Sequence, residues 1–206
     1  MTPNAEKNKL KIVQRVFNQL FETTLNTRLE FGFEEPFYLA SNQEGRSVIQ
    51  SRYDYLSSAL HEIAHWCIAG DARREVDDYG YWYEPDGRSD QQQALFEKVE
   101  VEPQAMEWIL SACCQHEFNF SADNLEGDVT LSEAFTEAVT AKVAEFWQEG
   151  LSKRSDMLVR ALSEQFYDRD CQLPLSLDII YAYLKDSAPL SKSILQLSSN
   201  IEAKFV

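Results

Sequence analysis

Apolar side chains along the first part of this chain recur at helical spacing. Leu10, Val13, Val16, Phe17, Leu20 and Phe21 share one face, with Lys9, Lys11 and Arg15 on the other, so the pattern predicts an amphipathic helix from about Asn8 to Leu25. Gly32 and Pro36 interrupt the periodicity. Phe37-Tyr38-Leu39 and Ser47-Val48-Ile49 are short β-prone runs separated by the turn-rich Asn42-Gln43-Glu44-Gly45, which predicts a small strand pair. Helical spacing returns from Tyr53 to Ala69, where Leu56, Leu60, Ile63, Ala64, Cys67 and Ile68 form a stripe and Gly70 is placed to cap the end. Residues 71–90 carry charge, aromatics and turn residues over a span too long for a minimal connection, as structured functional loops do. A helix is expected from about Gln91 through Pro103 to Cys114, with a loop at Asn119–Asp128. Further helices are expected at Leu131–Glu149, Asp156–Tyr167 and Ser176–Leu184. The chain is strand-poor, and the expected architecture is a helix-rich α+β single domain spanning residues 1–206.

Composition narrows the function classes. With 206 residues and 44% hydrophobic content the chain can bury one sizeable core, and no internal period points to a solenoid. A net charge of −15 argues against general nucleic-acid binding, because a polyanion would be repelled. The N-terminal MTPNAEKNKLK has no apolar core of a secretory signal, and no apolar run is long enough to span a membrane. Cys67, Cys113, Cys114 and Cys171 lack paired CxxC spacing and read as reduced thiols of a cytoplasmic protein, with Cys113 and Cys114 as packing residues.

The candidate chemistry is concentrated in His61-Glu62-Ile63-Ala64-His65, which holds two of the three histidines. On a helix, residues four apart leave the same face one turn apart, so both imidazoles can grip one metal ion. Glu62 then projects near the metal's open side. A catalytic metal usually takes three protein ligands. His116, beside Glu117 at the end of an apolar stretch, is the weaker candidate for the third. The segment FEKVEVEPQAMEW is the stronger: Glu97, Glu100 and Gln104 share one helical face. Glu100 is favoured over Glu97 as the ligand, with Glu97 or Gln104 orienting a histidine from behind. Glu102 and Glu107 are read as solvated positions of an acidic helix, and Arg73 and Arg74 as pairing with neighbouring acids.

Two histidines and one glutamate support two chemistries. With zinc the set polarises a carbonyl and activates water, with Glu62 as general base, which is peptide hydrolysis. With iron(II) the same set is the 2-His-1-carboxylate arrangement of oxygen-activating enzymes. Spacing alone favours the hydrolase, since HExxH on a helix is its usual signature and facial-triad oxygenases more often use a β jelly roll. A third class is a binding module in which a metal only holds the fold.

The flanking blocks change the balance. HEIAHWCIAG, ARRE at 72–75, DDYGYWYEPDGR at 77–88, VEVEPQAMEW at 99–108 and DNLEGD at 123–128, in that order, resemble the bacterial elongation factor P hydroxylase family. NTRLEFGFEEPFYL is similar in kind, while the C-terminal third matches loosely. The resemblance implies an iron-dependent hydroxylase that uses dioxygen on a lysine of translation elongation factor P already carrying a β-lysyl group. It implies a metallopeptidase-like HExxH helix in place of an oxygenase barrel, with His61, His65 and Glu100 as ligands of Fe(II), zinc or another divalent metal being alternatives. Glu62 would then position a water or relay a proton. A β-lysylated lysine is long and multiply cationic, and Asp77, Asp78, Tyr81 and Trp82 of the acid-aromatic loop offer the carboxylates and ring faces that hold ammonium groups. The runner-up is a zinc metallopeptidase of the HExxH…Glu type.

Overall fold

A computed structural model describes residues 3–41, 45–78, 89–121 and 131–167. Among these residues the order is α1 (Pro3–Phe21), β1 (Thr27–Phe33), β2 (Phe37–Leu39), β3 (Ser47–Arg52), α2 (Leu56–Ile68), a 3-10 turn (Arg73–Glu75), α3 (Asp90–Cys113), α4 (Glu133–Glu149) and α5 (Lys153–Phe166). The helix-rich α+β expectation holds, and the predicted Ser176–Leu184 helix lies outside the described residues.

The sheet is larger than the expected pair. It has three strands in the order β1-β3-β2. The predicted partners β2 and β3 run antiparallel, with Tyr38 opposite Ile49. Strand β1 is the addition, and it pairs parallel with β3 from Thr27 opposite Ser47 onward. Its alternation is real: Thr27 and Leu29 are buried, while the outward Arg28 and Glu30 pair at 2.8 Å. Gly32 does not end the strand. It takes a φ of 104°, which favours glycine, where the register shifts between Phe31 and Phe33.

Helix α1 stops at Phe21, four residues short of the expected Leu25, and Asn26 at φ 49° turns the chain into β1. Its apolar face packs into an aromatic cluster in which Phe17 and Phe21 lie 5.0 and 4.8 Å from the ring of Trp66 on α2. Fully burying such side chains contributes roughly 1.5–3 kcal/mol each. Helix α2 is therefore packed from behind along Leu56, Leu60, Ile63 and Cys67. Gly70 is not its cap: the closing residue is Ala69 in extended backbone. The terminal carbonyls of Cys67 and Ala69 instead accept hydrogen bonds from Arg154 of α5. A cation at a helix C-terminus interacts favourably with the helix dipole.

Helix α3 starts with a capping box, in which Ser89 accepts from the Gln92 backbone and Gln92 reaches back to Ser89. It then runs through Pro103, which removes one backbone donor from the helix interior. Trp108 is buried and stacks on Phe118 at 5.0 Å, anchoring the segment after α3. Cys67, Cys113 and Cys114 are buried in the core as expected, and burial pushes the thiols of Cys67 and Cys113 up to about 12.

Candidate metal centre

Two neighbouring helices build the site. His61 and His65 leave α2 one turn apart, and their Nε2 atoms converge to 3.0 Å. Glu100 enters from α3 with Oε1 at 3.3 Å from His65 Nε2 and Oε2 at 3.8 Å from His61 Nε2. Its residue surface is only 3% exposed, which is costly for a carboxylate unless cations or polar partners surround it. The three ligand atoms all lie within 4.8 Å of one another.

These residues fit a divalent metal. Two donors about 2.1 Å from one ion, subtending roughly 90–110°, are about 3.0–3.4 Å apart. The imidazole pair and the pair of His65 with Glu100 Oε1 fall in that span at 3.0 and 3.3 Å, and His61 lies 3.8 Å from the other carboxylate oxygen, Oε2. The tautomer also fits. His61 Nδ1 donates to Glu107 Oε2 at 2.8 Å, which leaves the Nε2 lone pair directed at the cluster.

Glu107 corrects the expectation that it is a solvated position. It is 7% exposed and lies beneath His61, two helical turns along α3 from Glu100. The signal was the spacing Glu100, Gln104, Glu107, which keeps one face. Glu102, by contrast, is exposed as expected. Carboxylates behind a ligating histidine fix its tautomer and raise its basicity. Replacing Glu107 with alanine is therefore expected to lower metal affinity by about 10–100-fold. Chelator-competition titration checks this, with equal affinity removing Glu107 from the site.

Gln104 and Glu97 divide the roles left open by the sequence. Gln104 Nε2 approaches Glu100 Oε2 at 3.5 Å, so it faces the carboxylate of the set and not a histidine. Glu97 is turned away: its carboxylate accepts from the hydroxyl of Ser132 at 2.5 Å, at the start of α4. His116 is also elsewhere, with its backbone N–H bonded to Ser111 O, and burial lowers its pKa.

Charge inside the cluster is set by mutual pairing. Burial raises Glu100, but the His65 imidazole, helped by His61 and Gln104, holds it down to about 2. Burial pushes His61 down, yet the Glu107 carboxylate, with Glu100 and Glu62, more than offsets that and raises it well above the ordinary 6.5. Without metal, the pairing of Glu100 stabilises the fold above its ordinary 4.5 and is lost as pH falls toward about 2. The pairing of His61 is fully present below 6.5 and is lost as pH rises through its raised folded value.

Metal and proton compete for the same His61 ring. The gain in melting temperature on adding metal should therefore shrink as pH drops from about 8 to about 6. A metal-induced gain that is flat over this range would contradict the assignment.

Glu62 sits beside His65 on the wall of a small cavity of about 30 Å³ that also meets Tyr38, Arg73 and Asp78. That volume can hold a water molecule. The two aspartates assigned to substrate both bond to protein. Asp77 Oδ1 accepts from Ala40 N at 2.8 Å, and Asp78 accepts from Arg73 Nε at 2.7 Å. Asp78 also bridges Tyr38 of the edge strand through both backbone groups. Arg74 pairs with Asp71, so both arginines pair with acids as expected. Tyr81 and Trp82 lie outside the described residues.

Fold and site together define a helix-rich α+β protein with a two-histidine, one-carboxylate cluster of metal-ligand type between two packed helices. The chain belongs to the elongation factor P hydroxylase family, whose model matches residues 16–176. It is 46% identical over 171 residues to the elongation factor P lysine hydroxylase of Haemophilus influenzae, covering 82% of this chain and 96% of that protein. Every residue of the cluster falls inside the matched span.

Proposed function

We propose that this chain hydroxylates the β-lysylated lysine of translation elongation factor P, with iron(II) held by His61, His65 and Glu100. The observation that carries the reading is the convergence of these side chains on one point, in a chain 46% identical to an elongation factor P lysine hydroxylase. Bound there, iron would supply dioxygen activation and insertion of oxygen into the lysine side chain. The rest is done by the protein. Glu107 keeps the His61 proton on Nδ1, and Glu62 holds a water or moves a proton at its carboxylate beside His65. The grip is of the metallopeptidase type, with two histidines one turn apart on α2 and the acid on α3.

The acid-aromatic loop binds the cationic side chain in this reading, through Asp77, Asp78, Tyr81 and Trp82. The anchoring of Asp77 to Ala40, just past β2, and of Asp78 to Arg73 supports it by fixing where the loop departs. One desolvated ring–ammonium contact contributes about 2 kcal/mol. The place of action is the cytoplasm, where the translation factor works, and no described helix is long and apolar enough to cross a membrane.

Metal analysis of protein purified without oxygen, paired with a peptide-cleavage assay, tests the proposal against the zinc peptidase. Iron at near one equivalent and no cleavage are expected. Zinc together with peptide cleavage would replace the hydroxylase with a peptidase.

A further inference from the structure

The side chain behind Glu100 has an unusual set of duties. Gln104 is 0% exposed, one turn past Glu100 on α3. Its Nε2 donates to the carbonyl of Ser121 at 2.7 Å, and its Oε1 accepts from the Ser121 backbone N–H at 3.1 Å. These two bonds fix the orientation of the amide. A flipped amide would set an N–H₂ against an N–H and two oxygens against each other. With the orientation fixed, the remaining hydrogen on Nε2 is left for Glu100 Oε2, 3.5 Å away.

We infer that Gln104 is a positioning residue for the metal, which sets the third ligand, Glu100, by clasping the backbone of Ser121. The inference rests on the assignment of His61, His65 and Glu100 as ligands. Ser121 follows Phe118 and Phe120, whose rings pack on Trp108 at 5.0 and 5.4 Å, so the clasp is referred to a rigid aromatic anchor. A neutral amide is required at this position. A carboxylate there would repel both Glu100 and the Ser121 carbonyl, whereas an apolar side chain of equal length would leave the Ser121 groups and Glu100 without this partner. Removing a partner of this kind commonly costs 10–100-fold in metal affinity.

The test uses cobalt(II) as a spectroscopic metal and compares the full chain with Gln104→Glu and Gln104→Met. Wild-type protein is expected to bind one cobalt(II). Both variants, checked for folding by metal-free melting curves, should bind about 10–100-fold more weakly, with shifted visible absorption bands. If the wild type binds no cobalt(II), the ligand assignment itself fails. If it binds and folded variants match it in affinity and spectrum, the ligands stand and the role of Gln104 is overturned. Amide hydrogen exchange at Ser121 in the wild type covers the case of variants that do not fold. By reciprocity the amide should exchange more slowly with metal bound, and unchanged exchange would overturn the inference.

Discussion

Replacing His65 with alanine is expected to abolish metal binding and hydroxylation together while leaving a folded chain. His65 is 12% exposed at its side chain and stands closest to the buried acid, at 3.3 Å from Glu100. In the proposed site its loss removes a direct ligand, so the drop in affinity should exceed the about 100-fold upper range for residues that only support a ligand. The metal-free fold should survive. Alanine is the best helix former and fits this last turn of α2, and the apolar face of α2 is untouched. The remaining cost is that Glu100 loses its nearest polar partner, about 1–3 kcal/mol. Metal titration together with a metal-free melting curve checks this. Retained stoichiometric binding would move the ligand set elsewhere.

The second large effect separates two glutamates three residues apart. Glu100→Gln should lose metal about as completely as the histidine variant, because it keeps shape but removes the charge that faces both imidazoles. Glu97→Ala should leave metal affinity unchanged and lower stability by about 1 kcal/mol, since its carboxylate ties Ser132 at the start of α4 and Gln93 on its own helix. The metal-free forms should differ too. With Glu100 gone, the acid-side stability held by a carboxyl near 2 disappears, so Glu100→Gln should show a weaker fall in stability on acidification. Loss of metal in the Glu97 variant, with Glu100→Gln still binding, would reverse the assignment.

Local pattern made much of this protein legible. Helical periodicity located α1, α2 and α3, and i/i+4 geometry put His61 and His65 on one face of α2 and Glu97, Glu100 and Gln104 on one face of α3, which the fold brings together at Glu100. What was missed depended on neighbours distant in sequence. Strand β1 pairs with β3 across the intervening β2, and its Gly32 looked like a breaker because a bulge inside a strand and a loop use the same residue. Glu107 looked solvated because an acidic helix in an acidic chain carries no mark of which face will be covered. Its burial follows from the packing of α3 on α2 beneath His61. Gly70 looked like a cap, but the carbonyls at the end of α2 are bonded by Arg154, 87 positions from Cys67, and no local signal could announce it. The pairing of Arg73 with Asp78, five positions apart, is by contrast a local contact that the sequence did announce.

The family membership and the cluster make different kinds of claim, and they agree. Membership covers most of the chain and points to elongation factor P. Under the proposed function the cluster would let a fold of helices carry out oxidation, since two imidazoles and one buried carboxylate would leave coordination positions open on a metal. Glu107 lies below it, Gln104 behind it and Glu62 on the wall of a water-sized cavity, positions from which they would support such a site.

The most direct test is mass spectrometry of β-lysylated elongation factor P after incubation with this protein, iron(II), dioxygen and a reductant. The account predicts the gain of one oxygen atom at the modified lysine, absent with the His65→Ala variant. An unchanged substrate mass with iron-loaded wild-type protein, under every reductant tried, would contradict it.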